Sequence, residues 1–176
     1  MANNIDIAEI QSQGMEMLFM PLYDDIYGEQ ADAMRMIKLY GMLDSVISGF
    51  IIGEFEYTIL ENLDTMTAEG IVDTFNTMME DYASDYNFYY ISHIFEQPGY
   101  YISYGVSALA AFDIWEESLS DKDKALEMYD SISQLNSNSK AYQFKSALKY
   151  CGFDNVLTEE YIRELAVKLQ EYADSL

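Results

Sequence analysis

A chain of 176 residues, half of them apolar and 15% aromatic, holds enough hydrophobic material for one domain with its own core, which excludes intrinsic disorder. Nine Lys and Arg stand against 31 Asp and Glu, a formal net charge of -22, so most of the surface repels a phosphate backbone and nucleic-acid binding is excluded. The same sign disfavours anionic membrane surfaces.

MANNIDIAEI has no basic n-region and no uninterrupted apolar run, so it does not read as a secretory signal. Periodicity is helical almost throughout, with only two prolines and no Asn-Gly or Asp-Gly hairpin signal, and the expected class is all-α. A first helix is predicted from about Asp6 to Met20, where Pro21 cannot continue the hydrogen-bond ladder. A long helix from about Gln30 to Glu61 follows, with Met34, Ile37, Leu39, Leu43, Val46, Ile47, Phe50, Ile51 and Phe55 recurring at three- to four-residue spacing, and its length suggests the central core helix. Its longest apolar stretch, Val46 to Ile52, is interrupted by Ser48 and Gly49 and closed by Glu54, too short for a bilayer span, so no membrane partner is expected.

Thr67 is placed to cap a helix from Ala68 to about Ala83. Ser84 to Gly99 then breaks the pattern and crowds Tyr86, Phe88, Tyr89, Tyr90, His93, Phe95 and Pro98 into an irregular aromatic stretch. From Tyr100 to Leu119 the small residues Gly105, Ser107, Ala108, Ala110 and Ala111 permit close helix packing, and Ser120 with Asp123 reads as a capped restart. Shorter helices are predicted over Ala125 to Leu135, Lys140 to Tyr150 with Gly152 just beyond, and Glu159 to Ala173 capped by Thr158. No linker or repeat divides the chain, so residues 1–176 read as one helical domain. Its acidic part runs to Ser120, with 2 basic and 21 acidic residues, and a C-terminal helical bundle over 121–176 carries 7 and 10.

Cys151 and His93 are each the only residue of their type. No disulfide can close within the chain, which agrees with a reducing compartment, and the expected location is cytoplasmic. A Cys/His zinc site cannot be assembled from these two residues, and no G-x-S-x-G elbow points to a nucleophilic hydrolase. Asp24-Asp25 and Asp121 to Asp123 lack the D-x-D-x-D-G loop of a calcium site.

Two stretches could carry chemistry. In DIAEIQSQGMEML, Asp6 to Leu18, Glu9 and Glu16 share one helical face about 10 Å apart with Gln13 between them, while Ile7, Ile10, Gly14 and Met17 face the core. Two solvated glutamates satisfy the same spacing. In SHIFEQPGYYISY, Ser92 to Tyr104, Tyr100 and Tyr104 lie one turn apart and His93 leads into them, offering neutral donors suited to a developing oxyanion. An aromatic packing cluster with polar tips satisfies that composition equally.

Together, DIAEIQSQGMEML and SHIFEQPGYYISYGVSALAAFDIW resemble the C-terminal part of the catalytic domain of the thimet oligopeptidase and oligoendopeptidase F family of zinc metallopeptidases. The resemblance covers essentially the whole chain. It implies that Glu9 is the family's glutamate zinc ligand and that Glu16 supports it from one face-repeat further on. It further implies that His93, Tyr100 and Tyr104 are catalytic, binding the peptide backbone and stabilising the tetrahedral intermediate, with Tyr101 as an adjacent substrate-binding residue. Gly99 stands where a bulkier residue is expected, and Gln11 where a histidine is common.

The family's H-E-x-x-H helix, which supplies two zinc ligands and the general base, should lie roughly two dozen residues before Glu9. The 176 residues do not contain it. The chain is therefore expected to be a C-terminal fragment of a peptidase of short oligopeptides, inactive and weak in zinc affinity on its own, and completed by an N-terminal half carrying that motif. The alternative is a stand-alone acidic helical binding or structural module that keeps the fold without the chemistry.

Overall fold

The computed structural model describes residues 4–82, 87–135 and 143–176, and no strand occurs among them. α1 (Ile5–Phe19) ends where Pro21 withdraws a backbone donor. A 3₁₀ turn (Met20–Leu22) and the short α2 (Tyr23–Tyr27) then lead to α3 (Ala31–Asn62). α4 (Ala68–Met79) starts on Thr67, whose Oγ1 accepts the Gly70 N–H at 3.1 Å. The aromatic stretch is more regular than its composition suggested, with a 3₁₀ turn at Phe88–Tyr90 and α5 (Ser92–Glu96). α6 (Tyr101–Ser120), α7 (Lys122–Gln134), α8 (Phe144–Tyr150) and α9 (Glu159–Ser175) complete the chain, and Thr158 caps α9 by accepting the Tyr161 N–H at 3.2 Å.

The cap of α7 is Asp121, not Ser120: its extended backbone at φ -142° lets Oδ1 accept the Lys124 N–H at 3.0 Å, while Ser120 is still helical. The expected helix end at Ala83, the aromatic-stretch residues Ser84 and Tyr86, and the expected helix start at Lys140 lie outside the described residues.

The centre of the molecule is α6 rather than α3. Its small residues are buried from Ser103 through Ala111, and Phe112, Ile114 and Trp115 continue the buried run. α1 and α3 approach it from two sides. At the α3 crossing the backbones nearly touch: a Cβ on Gly49 would lie 2.5 Å from the Gly105 nitrogen, a distance only glycine tolerates. Close approach rather than apolar bulk selects the central helix.

α3 buries one stripe, including Leu39, Met42, Ile52 and Phe55, while Ile37 is 62% exposed and Leu43 and Ile47 are more than a third exposed. These three belonged to the expected core. The helix is apolar around more of its circumference than its neighbours cover. Contrary to the reading of Val46 to Ile52, the helical run Ile5–Asn62 does contain an 18-residue window long and apolar enough to cross a bilayer, a test that core helices also pass. Arg35 is buried in α3 and pairs with Asp24 and with Asp32 at 2.6 Å, while Lys38 reaches Glu16 at 2.7 Å. The two cations of the acidic region thus tie α2 and α1 to α3.

Two apolar clusters result. The larger joins Ile7, Ile10 and Met17 of α1, Leu39 and Met42 of α3, and the buried faces of α6 to α9. The smaller contains Ile52, Phe55, Phe75, Met79, Phe88 and Ile91, and seats the start of the aromatic stretch on α3 and α4. Asp113, buried in α6, accepts the Asp154 N–H at 2.9 Å and pins the loop after α8. Burial pushes its carboxyl up to about 7, against the pull of that hydrogen bond, and the nearby Asp154, Glu116 and Glu117 add to the rise. Cys151 is buried where α8 ends, its N–H donating to Ala147 O at 3.0 Å, and Gly152 follows at φ +83°.

Candidate functional site

α1 presents Glu9 toward the N-terminal end of α6 because Ile7, Ile10, Gly14 and Met17 bury the adjoining stripe. Gln13, expected on the polar face with Glu9 and Glu16, is itself buried. Its Nε2 donates to Tyr104 O at 3.3 Å, and its Oε1 accepts the Ser107 hydroxyl at 2.6 Å. Ser103 donates to Asp6 Oδ1 at 2.6 Å one turn earlier. These polar bridges fix the register of α1 on α6.

His93 sits in α5, and the chain turns into α6 through Gln97–Tyr100, with Tyr100 N–H donating to Gln97 O at 3.0 Å. Pro98 and Gly99 occupy the middle of this turn, and Gly99 at φ +81° adopts the conformation a type II turn requires there. That explains the glycine where a bulkier residue was expected. The Gly99 N–H donates to Glu56 Oε1 at 2.9 Å across to α3, so a carboxylate only 5% exposed holds the entrance of α6.

The turn brings four rings together. His93 lies 4.9 Å from Tyr100, 5.9 Å from Tyr101 and 5.6 Å from Tyr104 between ring centroids, and Tyr104 stands 5.3 Å from Tyr100 and 5.4 Å from Tyr101. The Tyr104 hydroxyl is 3.4 Å from His93 Nε2, and the Tyr100 hydroxyl donates to Glu9 Oε1. That bond, with burial and the charge of Glu9, holds the Tyr100 phenol well above its usual range. Tyr100 is therefore a neutral donor at any physiological pH.

Two hollows meet at Ser45 and Tyr104. One, about 410 Å³, is lined by Ser48, Tyr90, His93 and Tyr101; the other, about 320 Å³, by Glu9, Glu16 and Lys38. Glu9, His93, Tyr100, Tyr101 and Tyr104 are thus one cluster. Glu16 shares the second hollow, but its carboxylate is engaged by Lys38.

Among the described residues the donors do not make a zinc site by themselves. Glu9 is one carboxylate, with Oε1 accepting from Tyr100 and Oε2 accepting from Ser12 Oγ at 3.0 Å, and His93 is directed at Tyr104. No group of three or more His, Cys, Asp or Glu gathers among the described residues. The burial of Gln13, placed by its spacing on the polar face, and the part played by Glu56 are the two features the sequence did not show. Gln13 had a local signal, its position in register with Ile10 and Met17, whereas Glu56 meets Gly99 across 43 residues and had none.

No protein-family model matches the chain, and no curated protein matches it. Two solved structures share its fold: an oligoendopeptidase F, at 22% identity and a TM-score of 0.84, and a PZ peptidase A with an inhibitor, at 19% and 0.84. Each likeness covers 98% of this chain and 32% of the other, so the chain spans about a third of their length. The chain therefore folds as part of oligoendopeptidase F and PZ peptidase A does, in the all-α class that its helical periodicity predicted and with the family fold that its sequence resemblance implied.

Proposed function

We propose that the chain is the C-terminal part of the catalytic domain of a zinc metalloendopeptidase that cleaves short oligopeptides in the cytoplasm, and that it is inactive alone. The reading rests on one observation: Glu9 from α1 and His93, Tyr100 and Tyr104 from the α5–α6 turn meet in one cluster, on a fold shared with two peptidases. Zinc would be held by Glu9 together with ligands from a segment carrying H-E-x-x-H, the N-terminal half that completes the site. With Glu9 turned to the metal, the Tyr100 hydroxyl would exchange its bond to Glu9 Oε1 for one to a peptide carbonyl oxygen, joined there by the Tyr104 hydroxyl, and His93, steadied by Tyr104, would orient the backbone. Tyr101 flanks the peptide, and Glu16 with Lys38 closes the far end of the hollow.

A fluorogenic peptide assay on the purified chain with added zinc tests this, with negligible turnover expected; hydrolysis that disappears in Glu9→Gln would overturn it. Sequencing the DNA upstream of the Met1 codon tests the partner, an in-frame or adjacent H-E-x-x-H at the family spacing being the expected result. Unrelated sequence there favours the second reading, a stand-alone acidic helical binding or structural module. The observation on that side is that both Glu9 oxygens already have partners within the chain.

A further inference from the structure

A third cavity, about 320 Å³, lies between α3, α4 and the segment from Phe88 to Pro98, a volume suited to a small ligand. Phe55, Ile71, Phe88 and Ile94 line it, with Leu60 and Phe95, each about 60% exposed, toward solvent. Tyr89 adds its phenol to this apolar lining, and one carboxylate, Glu56, borders it. Its Oε1 accepts the Gly99 N–H, but Oε2, although buried, has no hydrogen-bond partner. Burial raises its carboxyl above the usual range, against the Gly99 hydrogen bond and the charge of His93.

A buried carboxylate oxygen without a donor selects the chemistry of what it lacks. An anion would be repelled, and a hydrocarbon would fill the cavity while leaving Oε2 unpaired. A guanidinium brings five donors to a single free acceptor. An ammonium on an apolar stem, once the Glu56 carboxyl turns Oε2 from its buried position toward the cavity, places one N–H on that oxygen as a charge-assisted hydrogen bond, sinks its carbons among the rings, and leaves its other N–H groups to water. We propose that this cavity binds a primary ammonium group carried on a short hydrocarbon or aryl stem, with Glu56 as its counter-charge. The inference does not depend on the peptidase reading.

Titration calorimetry of the full chain at pH 8 tests it, with phenethylamine, its neutral counterpart 2-phenylethanol, and the peptide acetyl-Gly-Lys-Gly-amide. Phenethylamine should bind at least roughly tenfold tighter than the alcohol, Glu56→Gln should erase that preference, and Ile71→Trp, which fills the cavity and keeps the carboxylate, should abolish binding of both. Binding of the lysyl peptide as well identifies a side-chain ammonium as the occupant, and binding of the amine alone a free small amine; either supports the site. Equal affinity for amine and alcohol, no binding of any probe, or a preference that survives Glu56→Gln overturns it. Should Glu56→Gln not fold, the amine-to-alcohol ratio in the unmodified chain and its loss in Ile71→Trp decide the question.

Discussion

The large core around α6 and the small one between α3 and α4 use the same device, a buried carboxylate that accepts a loop N–H, with different support around it. Asp113 holds Asp154 amid packing from α1, α3 and α6 to α9, whereas Glu56 holds Gly99 beside a cluster of six buried residues. The candidate site straddles them: Glu9 stands on the large core, and the segment carrying His93 is seated on the small one. Local opening is expected where buried contacts are few, so the His93 side should be the mobile half of the site.

Trp115→Ala should have the largest effect. The ring is 1% exposed and meets Tyr172 edge-on at 5.1 Å, so its loss should cost about 3–5 kcal/mol in urea unfolding, spread over the whole molecule. Phe75→Ala removes the ring that touches Phe55 at 5.0 Å and Phe88 at 5.5 Å. It should cost about 3 kcal/mol and raise hydrogen exchange at residues 88–96 well before α6 is affected. Equal exchange in both regions would erase the distinction between the cores.

Gly49→Ala tests the crossing that joins the two regions. The new Cβ would press on Gly105 backbone, which cannot step aside as a side chain can, and a loss of about 1–3 kcal/mol is expected, read as a lower melting temperature. The smallest effect concerns pH. Because the Asp113 carboxyl is raised from 3.8 to about 7 on folding, the folded state binds the extra proton between these values, and stability falls as pH rises through that window and levels above it. Acidification from pH 8 to 6 should therefore raise stability by about 1–2 kcal/mol through this group, and Asp113→Asn should flatten the slope. Glu56, raised by burial as well, adds a slope of the same sign.

Local features were legible in the sequence. Thr67 and Thr158 cap the helices they precede because the capping bond spans three residues, and α1 ends at Pro21 because the missing donor belongs to the proline itself. The tyrosine pairing followed from helical spacing. Which apolar residues would be covered did not follow: Ile37 and Ile47 fit the period of α3, yet burial depends on a neighbour that the period does not name. The Pro98-Gly99 turn was present in the letters, but its tie to Glu56 depends on the tertiary placement of α3. Asp121 displaced Ser120 as a cap because the end of α6 sets which residue first turns extended.

Cys151 gives the molecule a built-in clock. Its thiol is the sole one in the chain, it is 6% exposed, and burial holds it in the protonated, unreactive form. An alkylating reagent in excess can mark the protein only while the end of α8 is lifted from the large core, so the rate of marking reads the lifetime of the closed state directly. The same chemistry would leave a single fluorophore at one known point, attached without changing any residue of the sequence.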